Sequence, residues 1–155
     1  VVSYGMSSLS QAEKQVEYGD HGLSVTTILV CLVFRIIWRI THGFAELPRS
    51  MTALQSLLAR LAHYVIYLLL IAQVLTGIAL ASTTSTDFVA SGYGINYTQF
   101  DLLPDSYHDL LLSTHIFLYW AIATVLILHV LAALKHHFVD RDEVLKSMLP
   151  GRKAS

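Results

Sequence analysis

Three apolar stretches, at about 23–40, 57–81 and 110–134, carry only Arg35, Arg39 and Arg60 as charged residues apart from histidine. At about 1.5 Å of rise per residue, each is long enough for a helix to cross a hydrocarbon slab about 30 Å thick. Of the 155 residues 54% are apolar and only 14% charged, too few polar side chains to coat a water-soluble globule. The chain therefore reads as an all-α transmembrane helical bundle with three spanning helices, its solvent the lipid bilayer. It forms one membrane domain over 1–155, with helices at about 11–41, 53–82 and 108–138 and a short amphipathic tail at 140–149. A net charge of −1 says nothing about nucleic acid, and with no basic run or aromatic-basic interleaving no nucleic-acid partner is expected. The single Cys31 lies mid-span and has no internal partner, so it is expected to be a packed apolar thiol.

Ser10-Gln-Ala-Glu13 fits a capping box, and no proline or turn cluster interrupts the run to Thr41, which places His21 inside a continuous helix. Arg35, Arg39, Arg49 and Arg60 flank the first connection, and Lys135, Arg141, Lys146, Arg152 and Lys153 follow the last helix. The connection 82–108 holds no Lys or Arg. By the positive-inside rule the first connection and the C-terminus are cytoplasmic, with 82–108 outside. That outer loop carries Asp87, Asp101 and Asp105 among Phe88, Tyr93, Tyr97 and Phe100. At about 26 residues it is too long for a plain turn, and it is expected to be a lid or a docking surface. The opening Val1-Val-Ser-Tyr-Gly-Met6 resembles the exit turn of an earlier helix, so a further helix upstream is expected.

Within the last apolar stretch His115, His129 and His136 are spaced by 14 and 7 residues, which brings the three imidazoles onto one helical stripe. His115 and His129 are then about 21 Å apart along the axis, one toward each membrane face. Ionisable groups in a bilayer are costly, and neutral imidazole is a strong metal ligand. A zinc site gathers three or four ligands at one depth, whereas these histidines are turns apart and each needs a partner from another helix. One imidazole from each of two helices is how a bundle holds a haem at both axial positions. His21 and His115 form the outer pair, and Gly19, Gly22, Ser24, Ser113 and Thr114 are small enough to admit a flat porphyrin beside them. The alternative is that each histidine merely hydrogen-bonds across the bundle. At the inner level depth allows His63 and His129 to share an iron, but spacing alone does not decide it. Arg35, 14 residues after His21, is placed to neutralise a propionate or other anion, or to snorkel to the headgroups. His42 and His108, at helix ends, are expected to be solvated, and His137 interfacial.

His115-x13-His129-x6-His136-His137-Phe138, followed by Asp140-Arg141-Asp142 and Met148-Leu149-Pro150, resembles the C-terminal signature of the bacterial cytochrome b561 family. The resemblance takes in His21 with Arg35 and Arg39, and Ala62-His63-Tyr64-Val65-Ile66-Tyr67, and covers nearly the whole chain. It implies a four-helix architecture with two b-type haems and a quinone site on the cytoplasmic side. His21 and His115 would ligate the outer haem and His129 the inner one, with His63 and His136 lining the quinone pocket. The resemblance puts the family's other inner ligand on a first helix that has no counterpart among these three apolar stretches, which leaves His63 as the expected surrogate. One haem b is expected to bind firmly, and a second when that helix is present.

The function expected is transfer of single electrons between an outer donor or acceptor and ubiquinone or menaquinone at the inner face, where Arg49 and Arg60 stand near His63 and His136. Two imidazoles saturate the iron and leave no open position for substrate. Rival readings are a superoxide:quinone oxidoreductase, which the acidic outer loop disfavours, and a haem-bearing anchor subunit of a hydrogenase or formate dehydrogenase complex. A metal-ion transporter or a purely structural bundle is the reading of another class.

Overall fold

The computed structural model describes residues 10–43 and 51–140, with backbone alone at 11, 136 and 140. Its elements are α1 (Gln11–His42), α2 (Ala53–Ser82), a two-stranded hairpin of β1 (Val89–Ala90) and β2 (Ile95–Asn96), and α3 (His108–Lys135). All three helices are long and apolar enough to cross a membrane. Past Lys135 the backbone continues through one wider, π-type turn, His136–Asp140. Arg49, the opening 1–6 and the tail beyond Asp140 lie outside the described residues.

Each helix starts and stops for local reasons. The backbone N–H and hydroxyl of Ser10 both donate to the Glu13 carboxylate, at 2.8 and 2.7 Å, and the Glu13 N–H donates back to Ser10 Oγ, closing a capping box. α1 ends at Gly43, whose φ of +73° is the left-handed conformation that terminates helices. A second capping box opens α2: the Thr52 N–H donates to Gln55 Oε1 at 2.8 Å and the Gln55 N–H to Thr52 Oγ1 at 3.3 Å. α2 stops where apolar residues give way to Ser82-Thr83-Thr84, whose hydroxyls donate to the carbonyls of Ala79, Leu80 and Ala81. These bonds satisfy carbonyls that the helix end leaves without partners.

The chain divides into two compact units. One comprises 1–42 and 73–116, the other 43–72 and 117–155. Large apolar side chains face outward in both, among them Phe34, Leu68 and Phe117, as lipid-facing helices require. Cys31, expected to be packed, is exposed on α1, on a stretch where Val30, Val33 and Phe34 are exposed as well, as a helix solvated by lipid allows.

A water-style core exists only in the first unit among the described residues. Ala81, Ala90 and Tyr97 are buried there, with Ile78, Phe88 and Ile95 packed against them. The connection between α2 and α3 is an ordered cap built on this core. Val89 pairs with Asn96 and Ala90 with Ile95, and the loop between them bends through Gly92 and Gly94, at φ +78° and +68°. The Asn96 side chain caps the following 3-10 turn, Tyr97–Phe100, by accepting from the Thr98 N–H. β1 lies on α1, where the Ser91 N–H donates to the Gly19 carbonyl at 3.1 Å.

Candidate functional site

His21 on α1 and His115 on α3 come together in the first unit, with ring centroids 6.4 Å apart and planes at 77°. Two metal–imidazole bonds of about 2 Å, with about 1 Å from each ring centre to its nitrogen, require a centroid separation of about 6 Å. The pair is thus spaced as two axial ligands of one iron need to be. Both rings are half-buried. Phe88 of the cap meets the His21 ring edge to face at 6.0 Å and lies against Tyr18 at 5.0 Å, covering the histidine from the loop side.

His115 leans on one turn of α2. Thr76 donates its hydroxyl hydrogen to the Gln73 carbonyl at 3.1 Å, so at His115 Nδ1, 3.3 Å away, the Thr76 oxygen is the acceptor. Nδ1 then carries the proton, and the lone pair of Nε2 accepts from the Gln73 side-chain amide at 2.9 Å. Gly77 lets the imidazole lie this close, since a Cβ there would stand 3.0 Å from His115 Cε1. An imidazole held in one tautomer with Nε2 as its donor atom is a group prepared to bind metal.

The small residues expected to admit a porphyrin do something else. Gly19 and Gly22 face the hairpin: a Cβ on Gly22 would meet the Ala90 Cα at 2.7 Å, so their space is filled by the cap. Ser24, Ser113 and Thr114 donate to carbonyls of their own helices, at Asp20, Leu110 and Leu110. His108, expected to be solvated, is half-buried, and its Nδ1 lies 2.9 Å from the Thr83 hydroxyl. It ties the end of α2 to the start of α3. His42 is exposed and stacks on Trp38 at 3.8 Å.

In the second unit His63 and His129 stand with ring centroids 5.1 Å apart. That is about 1 Å closer than an iron bound by both would hold them. Arg35 is exposed on α1. His136 is placed by its backbone alone, at the start of the wide turn. Among the described residues no group of three or more His, Cys, Asp or Glu gathers to hold a metal ion, so the histidines meet as pairs.

A family model described as prokaryotic cytochrome b561 matches residues 4–151. The chain belongs to the prokaryotic cytochrome b561 family. Among its relatives is the protein named cytochrome b561 homolog 2 of Escherichia coli (strain K12), 27% identical over 165 residues, an alignment that takes in all of this chain and 86% of the relative. Another is the Yersinia pestis protein named probable superoxide oxidase CybB, 32% identical over 131 residues, or 81% of this chain and 70% of the relative. The chain is accordingly a membrane cytochrome of the b561 family, and that family implies haem b. The donor set fits the group, because His21 and His115 are two imidazoles from different helices at the separation of a bis-imidazole site.

The sequence pairing of His21 with His115 needed only depth and helical phase. Gln73, Thr76 and Gly77 were missed, although two polar residues and a glycine within one turn of an otherwise oily helix are a legible signal of a close, hydrogen-bonded neighbour.

Proposed function

We propose that this cytochrome passes single electrons between a donor or acceptor at its outer face and a quinone at its inner face. His21 and His115 would hold one haem b, His129 would bind iron at the inner level, and His63, His136 and Arg49 would address the quinone. Arg35 neutralises an anion on the inner half of α1. The observation that carries the reading is the 6.4 Å pairing of His21 and His115 from two different helices beneath an ordered cap. When bound, a bis-imidazole haem supplies one-electron transfer at its edge, with no open position for oxygen chemistry.

The chain's own residues prepare that chemistry. Thr76 holds the Nδ1 proton of His115, which directs the Nε2 lone pair to the metal position. Phe88 covers the His21 ring, and Ala90 packs on the adjoining Gly22, so the cap keeps water from this turn of α1. At the inner level the imidazole of His63, beside His129, offers a nitrogen donor suited to a quinone carbonyl in an otherwise apolar setting. The absence of Lys and Arg from 82–108, against Arg35, Arg39 and Arg60 near the other connection, supports placing the cap outside and the C-terminus in the cytoplasm.

A second reading makes superoxide the outer donor, with quinone as the electron acceptor. What favours it is the relative from Yersinia pestis named as a probable superoxide oxidase; the acidic residues of the cap oppose it, since they repel an anion.

The test is a reduced-minus-oxidised spectrum of the purified chain with its haem-to-protein ratio, repeated for His21→Ala and His115→Ala. Each substitution is expected to abolish one low-spin haem. Full bis-imidazole haem in both variants would refute the assignment.

A further inference from the structure

We propose that Thr76 and Gln73, neighbours on one turn of α2, are opposed positioning residues for His115: Thr76 strengthens it as an iron ligand, and Gln73 occupies its ligating nitrogen until haem enters. The inference rests on the reading of His115 as an axial ligand.

The Thr76–Gln73 contact gives the hydrogen-bond chain its direction. Thr76 has one hydroxyl hydrogen, directed to the Gln73 carbonyl at 3.1 Å, and can meet Nδ1 at 3.3 Å only as an acceptor. A ligating imidazole that donates its other N–H is more basic, and a more basic ligand favours ferric over ferrous iron. Thr76 therefore lowers the midpoint potential of the haem His115 holds. Removing such an outer-shell partner weakens metal binding about 10- to 100-fold.

Gln73 acts in the other sense. Its amide lies 2.9 Å from His115 Nε2, the atom that must bind iron, so iron and amide compete for one lone pair. In this arrangement Gln73 Oε1 is buried and has no hydrogen-bond partner among the described residues. The contact that occupies Nε2 thus leaves the other half of the amide unsatisfied, which makes Gln73 a weak competitor for that lone pair. The arrangement keeps the imidazole aligned without letting it fall into a tighter, competing bond.

The experiment compares Thr76→Val, Thr76→Ser and Gln73→Leu in the detergent-solubilised full chain. Haemin titration of haem-depleted protein and redox titration of loaded protein are read with the low-spin spectrum. Thr76→Val is expected to keep the bis-imidazole spectrum, to bind ferric haem about tenfold more weakly, and to raise the midpoint potential. If ferrous affinity is unchanged, that tenfold is about 59 mV. Thr76→Ser restores both values, and Gln73→Leu binds haemin faster and at least as tightly as the unsubstituted chain. A packing defect would weaken binding in both Thr76→Val and Gln73→Leu, and that result overturns the proposal. So does an unshifted potential in Thr76→Val while His115→Ala loses the haem, which leaves the axial assignment standing. If His115→Ala retains the full haem signal, the proposal falls together with the reading beneath it.

Discussion

The hydroxyl of Tyr97 lies 2.8 Å from Oγ1 of Thr26, a buried bond that joins the cap to α1 across 71 positions of sequence. Thr26 gives its own hydrogen to the Gly22 carbonyl at 2.7 Å, so Tyr97 is the donor. Phe88 is held in turn, because the Tyr97 N–H donates to its carbonyl at 2.9 Å and the two rings meet at 6.0 Å. The cover over His21 is therefore fastened through this hydroxyl pair, a second one between Thr27 and Tyr93 at 3.2 Å, and the Ser91–Gly19 backbone bond, as well as by apolar burial.

Tyr97→Phe removes the bond and leaves the ring. Thr26 keeps its bond to Gly22, so no hydroxyl is stranded and the loss is that of one ordinary hydrogen bond, about 0.5–1.5 kcal/mol. Amide hydrogen exchange in the hairpin should speed by up to about tenfold, with exchange in the middle of α3 unchanged. Hairpin exchange identical to that of the unsubstituted chain would show that the cap does not depend on the bond.

Gly77→Ala sets two effects against each other. Alanine is the better helix former by about 1 kcal/mol, so the helix itself should not suffer. The new methyl, however, would stand 3.0 Å from His115 Cε1, tight enough that the imidazole must yield by a few tenths of an ångström. Ligand placement is the more sensitive quantity. We expect undiminished helicity by circular dichroism with haemin affinity down about tenfold, in line with disturbed ligand support. Unchanged haemin affinity would mean the ring accommodates the methyl without losing its ligating position.

His63→Leu separates two roles at the inner level. If His63 addresses quinone, the variant keeps its full haem content and reoxidises with quinone at least about tenfold more slowly, since a buried carbonyl loses its donor. The 5.1 Å separation of His63 and His129, shorter than a shared iron would set, supports that outcome. Loss of a haem from His63→Leu would instead assign His63 as an axial ligand.

Much of the architecture is legible because it follows from solvent and length. A helix in lipid must close its own hydrogen bonds, so an apolar run of sufficient length has few alternatives. The capping box at Ser10 and Glu13 is local and was read from the sequence; the one at Thr52 and Gln55 has the same spacing and was not. The cap was not legible in this way. Its strands are two residues each, too short for any alternation to register, and its pairing depends on contacts with α1. The glycines show the same limit: smallness at Gly19, Gly22 and Gly77 is visible in sequence, but whether a hairpin, an imidazole or a cofactor fills the space is a tertiary matter. Of the site, helical phase and depth brought His21 to His115. The partners on α2 are some forty residues away from His115 and became visible only in the packed chain.

Gly22→Ala tests the cap from the helix side. A Cβ on Gly22 would stand 2.7 Å from the Ala90 Cα and 3.2 Å from Phe88 Cε1, and the first of these is backbone, which no rotamer change can move. The hairpin must lift or α1 must shift. Ala90 is fully buried at 0% exposure, so lifting it exposes the small core it shares with Ala81 and Tyr97. The loss should fall in the range of about 1–3 kcal/mol typical of forced overpacking. It exceeds the gain from replacing a helical glycine, so the net effect is destabilising. The functional consequence falls on His21, one residue away and no longer covered by Phe88. Haem-loaded Gly22→Ala should melt at lower temperature in detergent, and its haem should be reduced faster by a small aqueous reductant such as dithionite. An unaltered melting temperature together with an unaltered reduction rate would show that the hairpin is not what limits access to His21.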